Sequence, residues 1–286
     1  MEKNYYMPSE HESRIVIQGV EIALGFPDEF SFQWIGQKDP LDQLLASWLV
    51  IDKDDLPLNP RLVGKPGVGK TTMAYSAAKM LNKQVYIYQC TMDTRPEDLL
   101  IMPVIDMSGG IRYVASSLVT AMIRGGVCIL DEANRMSEKA WASLAPLLDT
   151  RRYIESVVAG LKVSAHPDFR ICVTMNDDAS TFEIPEYIHS RLQPQIHLDF
   201  PEAEEERRIL RENLPFIDEH IVDYVVRFLQ RAHSHNESYT IRDGINIARF
   251  AAKRMKSLGS NPANRENLLR EAISMTLGDE ALPHVL

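Results

Sequence analysis

The chain has 286 residues, enough for one large domain or for a large and a small domain packed together. Hydrophobic residues make up 45% and charged residues 25%, as in ordinary soluble globular proteins. The net charge of −9 argues against nucleic acid or a membrane surface as the main partner, because phosphate groups need a positive field. No apolar run approaches the roughly 18 residues that span a bilayer. We therefore expect a soluble, cytoplasmic protein.

Short apolar runs alternate with helical patterns between about residue 60 and residue 200. The runs predict strands at 61–63, 85–88, 127–130, 171–174 and 196–198. Helices are predicted between them at 70–81, 118–124 and 138–148. Such alternation predicts a parallel sheet covered by helices on both faces.

Beyond Pro201 the pattern becomes helical. Apolar residues recur at spacings of three and four in 202–214, 220–232 and 244–258, which predicts a small all-helical domain. The first residues are polar and mixed and favour a leader. We therefore expect a leader at 1–30, an α/β domain at 31–200 and a helical domain at 201–286.

Residues 64–71, GKPGVGKT, match a phosphate-binding loop at each fixed position. Glycines let the backbone turn tightly, so that successive N–H groups point at phosphate oxygens. Lys70 would reach the β- and γ-phosphates, and the Thr71 hydroxyl would bind Mg²⁺. The predicted ATP contacts here come from Pro66, Gly67, Val68, Gly69, Lys70, Thr71 and Thr72.

Two adjacent acids, Asp131 and Glu132, end the apolar run that begins at residue 127. The carboxyl ends of parallel strands are where ligands bind in open α/β sheets. Asp131 would hold Mg²⁺, directly or through Thr71, and Glu132 would orient and deprotonate the attacking water. With the phosphate loop, this pair predicts a Mg²⁺-dependent ATP hydrolase.

The run GVCILDEANRM at 126–136 resembles the Walker B strand of the MoxR-like, or dynein-related, branch of AAA+ ATPases. DTRPEDLL at 93–100 resembles another segment of that branch. Residues 103–118 resemble the hairpin that this helix-2-insert group carries, with Ser108, Gly109 and Gly110 at its turn. The resemblance covers about residues 31–260. It implies a P-loop αβα sandwich with a five-stranded parallel sheet in the order 5-1-4-3-2, plus a small C-terminal all-α lid.

The same resemblance assigns further site residues. Asn176 ends the strand predicted at 171–174 and matches sensor 1, which places the lytic water. Arg191, in SRL at 190–192, resembles an arginine that projects into the neighbouring subunit's active site. Arg151 and Arg152 compete for that trans-acting role.

Arg242 resembles the sensor 2 arginine, which reaches from the lid to the phosphates. Arg249 is an alternative candidate for the sensor 2 role. Arg242 could instead have a purely structural role, paired with Asp243. Ile35 and Gly36, in IGQ at 35–37, resemble the segment that contacts the adenine edge.

Alternation on both sides of Ala159-Gly160 predicts a second hairpin, which resembles the pre-sensor hairpin of the same group. We expect the two hairpins to grip a partner or substrate. The resemblance implies a homo-oligomeric ring of six subunits that remodels a protein, with a von Willebrand factor A-type domain as a possible partner. Two alternatives remain open: an ATP-driven nucleic-acid motor or loader, and a nucleotide-gated assembly switch that does not turn over.

Overall fold

The computed structural model describes residues 14–31, 33–105, 109–177, 184–258 and 264–285. The strands are β1 (Arg14–Ile17), β2 (Val20–Ala23), β3 (Arg61–Gly64), β4 (Val85–Gln89), β5 (Ile101–Ile105), β6 (Ile111–Ala115), β7 (Val127–Asp131), β8 (Tyr153–Ser156), β9 (Leu161–Ser164), β10 (Arg170–Asn176) and β11 (Gln195–His197). The α-helices are α1 (Lys38–Ser47), α2 (Lys70–Met80), α3 (Ser117–Arg124), α4 (Glu138–Leu144), α5 (Glu186–His189), α6 (Ala203–Asn213), α7 (Glu219–Ser234), α8 (Ile241–Leu258) and α9 (Arg265–Leu277).

These elements pack as two compact units. The first is built from the described parts of Met1–Ser31, Asp39–Val63 and Thr71–His197. The second is built from those of Phe32–Lys38, Gly64–Lys70 and Leu198–Leu286.

The central sheet of the first unit has the order β11-β3-β10-β7-β4, with all strands parallel. Numbered along the sheet's own strands, this is 5-1-4-3-2, so the predicted αβα sheet and its order are confirmed. β10 is buried along its whole length, as expected for a strand whose two faces are both covered. The interior of its sequence is accordingly a nearly continuous apolar run. The carboxyl ends of β7 and β10 therefore bring Asp131 and Asn176 to one edge.

The helix predicted at 138–148 is shorter than expected. α4 is capped at its N-terminus by Ser137, whose side chain accepts a hydrogen bond from the Ala140 amide. It ends at Leu144, because Pro146 has no N–H with which to continue the ladder.

Both predicted hairpins are present. β5 and β6 pair antiparallel, as do β8 and β9. Ser108, in the predicted turn of the first hairpin, lies outside the described residues. Gly109, in the same turn, has a left-handed φ of +81°. The tips expose aliphatic side chains: Ile105 is 77% exposed and Val157 is 88% exposed.

Residues 14–23, within the segment expected to be a leader, form an additional hairpin. β1 and β2 pair antiparallel, and β2 runs parallel to β6, so the first hairpin becomes part of a four-stranded sheet, β1-β2-β6-β5.

The second unit is helical after residue 198 and has its own apolar core, centred on α7 and α8. Helix α7 starts at an Asp218 cap, whose carboxylate accepts a hydrogen bond from the His220 amide. At the start of α8, the Asp243 carboxylate accepts hydrogen bonds from the amide and the hydroxyl of Thr240, both at 2.8 Å. These caps satisfy backbone donors that a helix leaves open at its N-terminus.

Candidate active site

The phosphate loop belongs to the second unit and has a backbone that only glycine adopts easily. Gly67 and Gly69 have φ values of +79° and +95°. A Cβ on Gly67 would lie 2.7 Å from the Thr240 side chain, and one on Gly69 would lie 2.7 Å from the Trp34 ring. Both glycines are therefore required by conformation and by space. The loop has the tight, amide-presenting form that a phosphate group needs.

Lys70 is nearly buried, at 6% exposure. Its ammonium donates hydrogen bonds of 2.8 Å to the carbonyl oxygens of Gly64 and Lys65, within the loop itself. The loop thus holds a desolvated positive charge beside its amides, which suits a phosphate chain.

In the first unit, two threonine hydroxyls meet at the Asp131 carboxylate. Its Oδ1 accepts hydrogen bonds from the hydroxyls of Thr71, at 2.5 Å, and Thr174, at 2.6 Å. A carboxylate and a hydroxyl form the hard oxygen donor set that Mg²⁺ selects. The residues present therefore fit a magnesium ion held by Thr71 and Asp131.

Glu132 occupies a left-handed backbone conformation, with a φ of +54°. Its amide donates to the Thr174 hydroxyl at 3.0 Å, so one threonine fixes both members of the acid pair. Its Oε2 lies 2.7 Å from Nε of Arg135, and its Oε1 accepts a hydrogen bond of 3.3 Å from the Asn176 side chain. The side chain is one-third exposed, so solvent reaches it.

Asn176, the predicted sensor 1 residue, lies beside Glu132. It is 7% exposed, and its backbone carbonyl accepts a hydrogen bond of 2.8 Å from the Asn134 side chain. The Asn134 contact holds the Asn176 backbone, and the Asn176 side chain lies beside the candidate base.

The three candidate trans-acting arginines differ in their partners. Arg152 donates to the Phe169 carbonyl at 2.9 Å and is held within the subunit. Arg151 grips the Asp149 carboxylate with Nε and Nη2, at 3.0 Å and 2.7 Å. Arg191 shares that carboxylate at 3.6 Å and is 28% exposed. Hydrogen bonds from Arg151 lower the pKa of Asp149 to about 2, so the shared anchor stays ionised.

The remaining predicted residues lie in the second unit. Trp34, beside Ile35 and Gly36, donates from its indole N–H to the Gln37 carbonyl at 3.4 Å. Through Trp34, this segment touches the phosphate loop at Gly69. Ile35 and Gly36 are half-buried.

Thr240 places the N-terminus of α8 against Gly67, and Arg242 stands two residues further along the chain. The Asp243 carboxylate caps Thr240 instead of pairing with Arg242. Arg242 is exposed and has no ion pair among the described residues.

Several residues of this site were not singled out from the sequence: Thr174, Arg135, Asn134 and Asp149. A threonine in a strand is an ordinary strand former, so Thr174 carried no signal of its own. The spacing from Glu132 to Arg135 could have suggested an i, i+3 ion pair, had a helical turn been expected there.

Residues 61–192 match the family model described as AAA domain (dynein-related subfamily). In this segment the chain is similar to an AAA domain. The segment extends from the strand before the phosphate loop to just beyond Arg191, and it contains Asp131, Glu132 and Asn176.

The similar proteins are all of low identity. An uncharacterized protein of Staphylococcus aureus strain NCTC 8325 is 25% identical over 179 residues, which make up 61% of this chain and 68% of that protein. The Thermotoga maritima RuvB Holliday junction branch migration motor has a TM-score of 0.59 at 16% identity, covering 87% of this chain and 72% of that one. A candidate ATPase of Cytophaga hutchinsonii has a TM-score of 0.51 at 17% identity, covering 82% and 80%. At these identities the structural likeness shows the fold alone.

Within the described part of the chain, every helix is too short or too polar to cross a membrane.

Proposed function

We propose that this chain hydrolyses ATP with Mg²⁺. The observation that carries the proposal is the hydrogen-bonded arrangement in which Thr174 holds both Asp131 and Glu132 while Asn176 reaches Glu132. A protein that only switched state on binding nucleotide would not need a general base fixed in this way.

Binding falls to the phosphate loop. Its amides, including that of Val68, the amide of Thr72 just beyond it and the ammonium of Lys70 donate hydrogen bonds to the phosphate oxygens of ATP. Ile35 and Gly36 contact the adenine edge, and Arg242 reaches the phosphates from the lid. Bound Mg²⁺ would neutralise charge on the phosphate oxygens. Thr71 and Asp131 are the ligands on this chain.

Glu132 acts as the general base and takes a proton from the attacking water. In the structure both of its oxygens are engaged, by Arg135 and by Asn176. The Arg135 contact joins side chains that are each about one-third exposed, and such pairs contribute only about 0–1 kcal/mol. Glu132 can therefore release Arg135 at small cost, while Asn176 positions the water.

We further propose a homo-oligomeric ring of six subunits that remodels a protein, as a MoxR-like chaperone. The support for a protein substrate is the aliphatic character of the hairpin tips, Ile105 and Val157. The cations near the second hairpin are used within the subunit. Lys162 stacks on Tyr153, with its ammonium 3.6 Å from the ring centre, and Arg170 donates to the Trp48 carbonyl at 2.7 Å. A von Willebrand factor A-type domain as partner and a cytoplasmic location remain part of this proposal.

The test is the ATPase rate per subunit against protein concentration. We expect a rate that rises steeply as subunits assemble, because Arg191 completes a neighbour's site. A Lys70→Ala chain, which lacks the loop's ammonium, gives the background. A flat, near-zero rate with ATP bound would favour an assembly switch, and a DNA affinity that falls steeply between low and moderate salt would favour a nucleic-acid motor.

Arg191→Ala should lower turnover about 100-fold or more without loss of ATP binding, because a guanidinium that stabilises transition-state charge is removed. Mixing it with Glu132→Gln subunits should restore activity, since one subunit supplies the base and the other the arginine. Neither variant alone should be active. Arg151→Ala is the matched comparison, because Arg151 shares the Asp149 anchor. If Arg151→Ala is inactive and complemented while Arg191→Ala stays active, Arg151 is the trans-acting residue.

A further inference from the structure

The loop at 49–58, between α1 and β3, exposes several apolar side chains. Ile51 is 85% exposed, Leu49 is 63% exposed and Leu58 is 53% exposed. The same loop carries Asp52, Asp54 and Asp55 against a single Lys53. We call this segment the 49–58 loop. It is both apolar and acidic.

This loop is held in one conformation by its own hydrogen bonds. The Asp55 carboxylate accepts hydrogen bonds from the amides of Ile51, at 2.8 Å, and Leu56, at 2.9 Å. The Asp55 amide donates to the Asp52 carbonyl at 3.0 Å, and the Leu58 amide donates to the Ser47 carbonyl at 2.8 Å. A projection ordered in advance loses little conformational entropy when it binds.

A cavity of about 520 Å³ lies in the second unit, between the start of α7, the end of α8 and the start of α9. Its wall includes Phe216, Met255 and Leu268, and Phe216 is 70% exposed. We call it the lid cavity.

The rim of the lid cavity is cationic, although the chain as a whole carries a net charge of −9. Lys253, Lys256 and Arg265 line it, against the single carboxylate of Asp218, which lies 3.9 Å from Arg265. Lys253 and Lys256 have no ion pair within the described residues. An apolar wall with unpaired cations is complementary to an apolar projection with carboxylates.

We propose that the 49–58 loop of one copy of this chain docks in the lid cavity of a second copy. The loop and the cavity are different surfaces, so the contact is heterologous. A heterologous contact repeats head to tail and closes into a ring when the rotation allows. The inference rests on the proposed ring and names the surfaces that join its subunits.

Two charge reversals and their combination test this. Asp52→Lys with Asp54→Lys reverses the loop, and Lys253→Glu with Lys256→Glu reverses the cavity. Either pair should weaken self-association at least tenfold in sedimentation velocity with ATP, on a Glu132→Gln background that keeps ATP bound. The chain with all four changes should recover association, because the loop and cavity charges are again opposite. Asp93→Lys with Glu97→Lys, exposed acids elsewhere, is the matched control for the change in net charge.

The failure modes are distinguishable. If loop reversal leaves association unchanged, or the fourfold variant does not recover, the docking is wrong, while concentration-dependent ATP turnover by the native chain would still support the proposed function. If the reversals shift the melting temperature of the dilute monomer and not its association, the loop occupies the cavity of its own chain, which overturns contact with a second copy. A native chain that stays monomeric with ATP overturns the docking as well.

Discussion

Replacing Glu132 with Gln is expected to lower ATP turnover by about 10²–10⁴-fold, the usual contribution of a general base, while ATP stays bound. Glutamine keeps the size of the side chain and can still contact Asn176, but it cannot take a proton from water. The measurement is single-turnover hydrolysis together with the amount of nucleotide that remains with the protein after gel filtration.

Glu138→Gln is the matched control, because it removes the same charge from an acid six residues further along, at the start of α4. We expect it to leave turnover within about threefold of the native rate, because Glu138 is exposed and is not one of the hydrogen-bonded residues around Asp131 and Glu132. If Glu132→Gln also turned over at close to the native rate, another group would have to act as the base.

Replacing Glu206 with Gln is expected to stabilise the second unit at pH 8 and to change its stability little at pH 5. Glu206 is fully buried, and its carboxylate oxygens have no partner at full hydrogen-bond geometry within the described part of the chain. Burial raises the pKa of this carboxyl by more than the neighbouring Gln230 side chain lowers it. The imidazole Nδ1 of His233 lies 3.9 Å away. Burial raises the pKa of Glu206 from 4.5 to about 8, because a charged carboxylate loses its hydration in the core.

The direction of the pH effect follows from proton binding. Between pH 4.5 and about 8 the folded state keeps the proton and the unfolded state has lost it. Unfolding therefore releases a proton, and stability falls as pH rises, by at most about 1.4 kcal/mol per pH unit. Above the pKa of Glu206 in the folded state, both states have lost the proton and stability no longer falls with pH.

Denaturant unfolding at pH 5 and pH 8 measures this difference. Glu206→Gln should reduce the difference in the free energy of unfolding between pH 5 and pH 8 by roughly 2–4 kcal/mol. Glu212→Gln, an exposed acid on the same helix α6, should leave the pH dependence as it is. An equal effect of Glu206→Gln at both pH values would mean that the carboxyl is not held neutral in the folded protein.

The parts of the site that follow from sequence are those tied to strand ends. Apolar runs located the strands, and the carboxyl ends of parallel strands share an edge, so Asp131, Glu132 and Asn176 could be expected together. The sheet order 5-1-4-3-2 came through the family resemblance, and the structure confirms it.

What could not be predicted depends on contacts distant in sequence or on backbone angles. The β1–β2 hairpin pairs with β6, about 90 residues away, and that long-range pairing is not visible in the sequence. The runs RIVI and VEIA, on either side of Gln18-Gly19, do carry a strand signal of their own, so a hairpin could have been expected there. The left-handed φ of Glu132 is not revealed by residue type, and neither is the short helical turn after it that carries Arg135. Asp149 looks like an ordinary turn acid until the fold brings Arg191 to it.

The left-handed backbone at Glu132 creates a trade-off between catalytic activity and thermostability. A non-glycine residue in this conformation costs about 1–2 kcal/mol, and glycine avoids that cost. A glycine at this position would relieve the strain and remove the base. Directed evolution that scored only heat resistance would therefore tend to discard the catalyst, so a screen for hardier variants of this chain has to score hydrolysis as well.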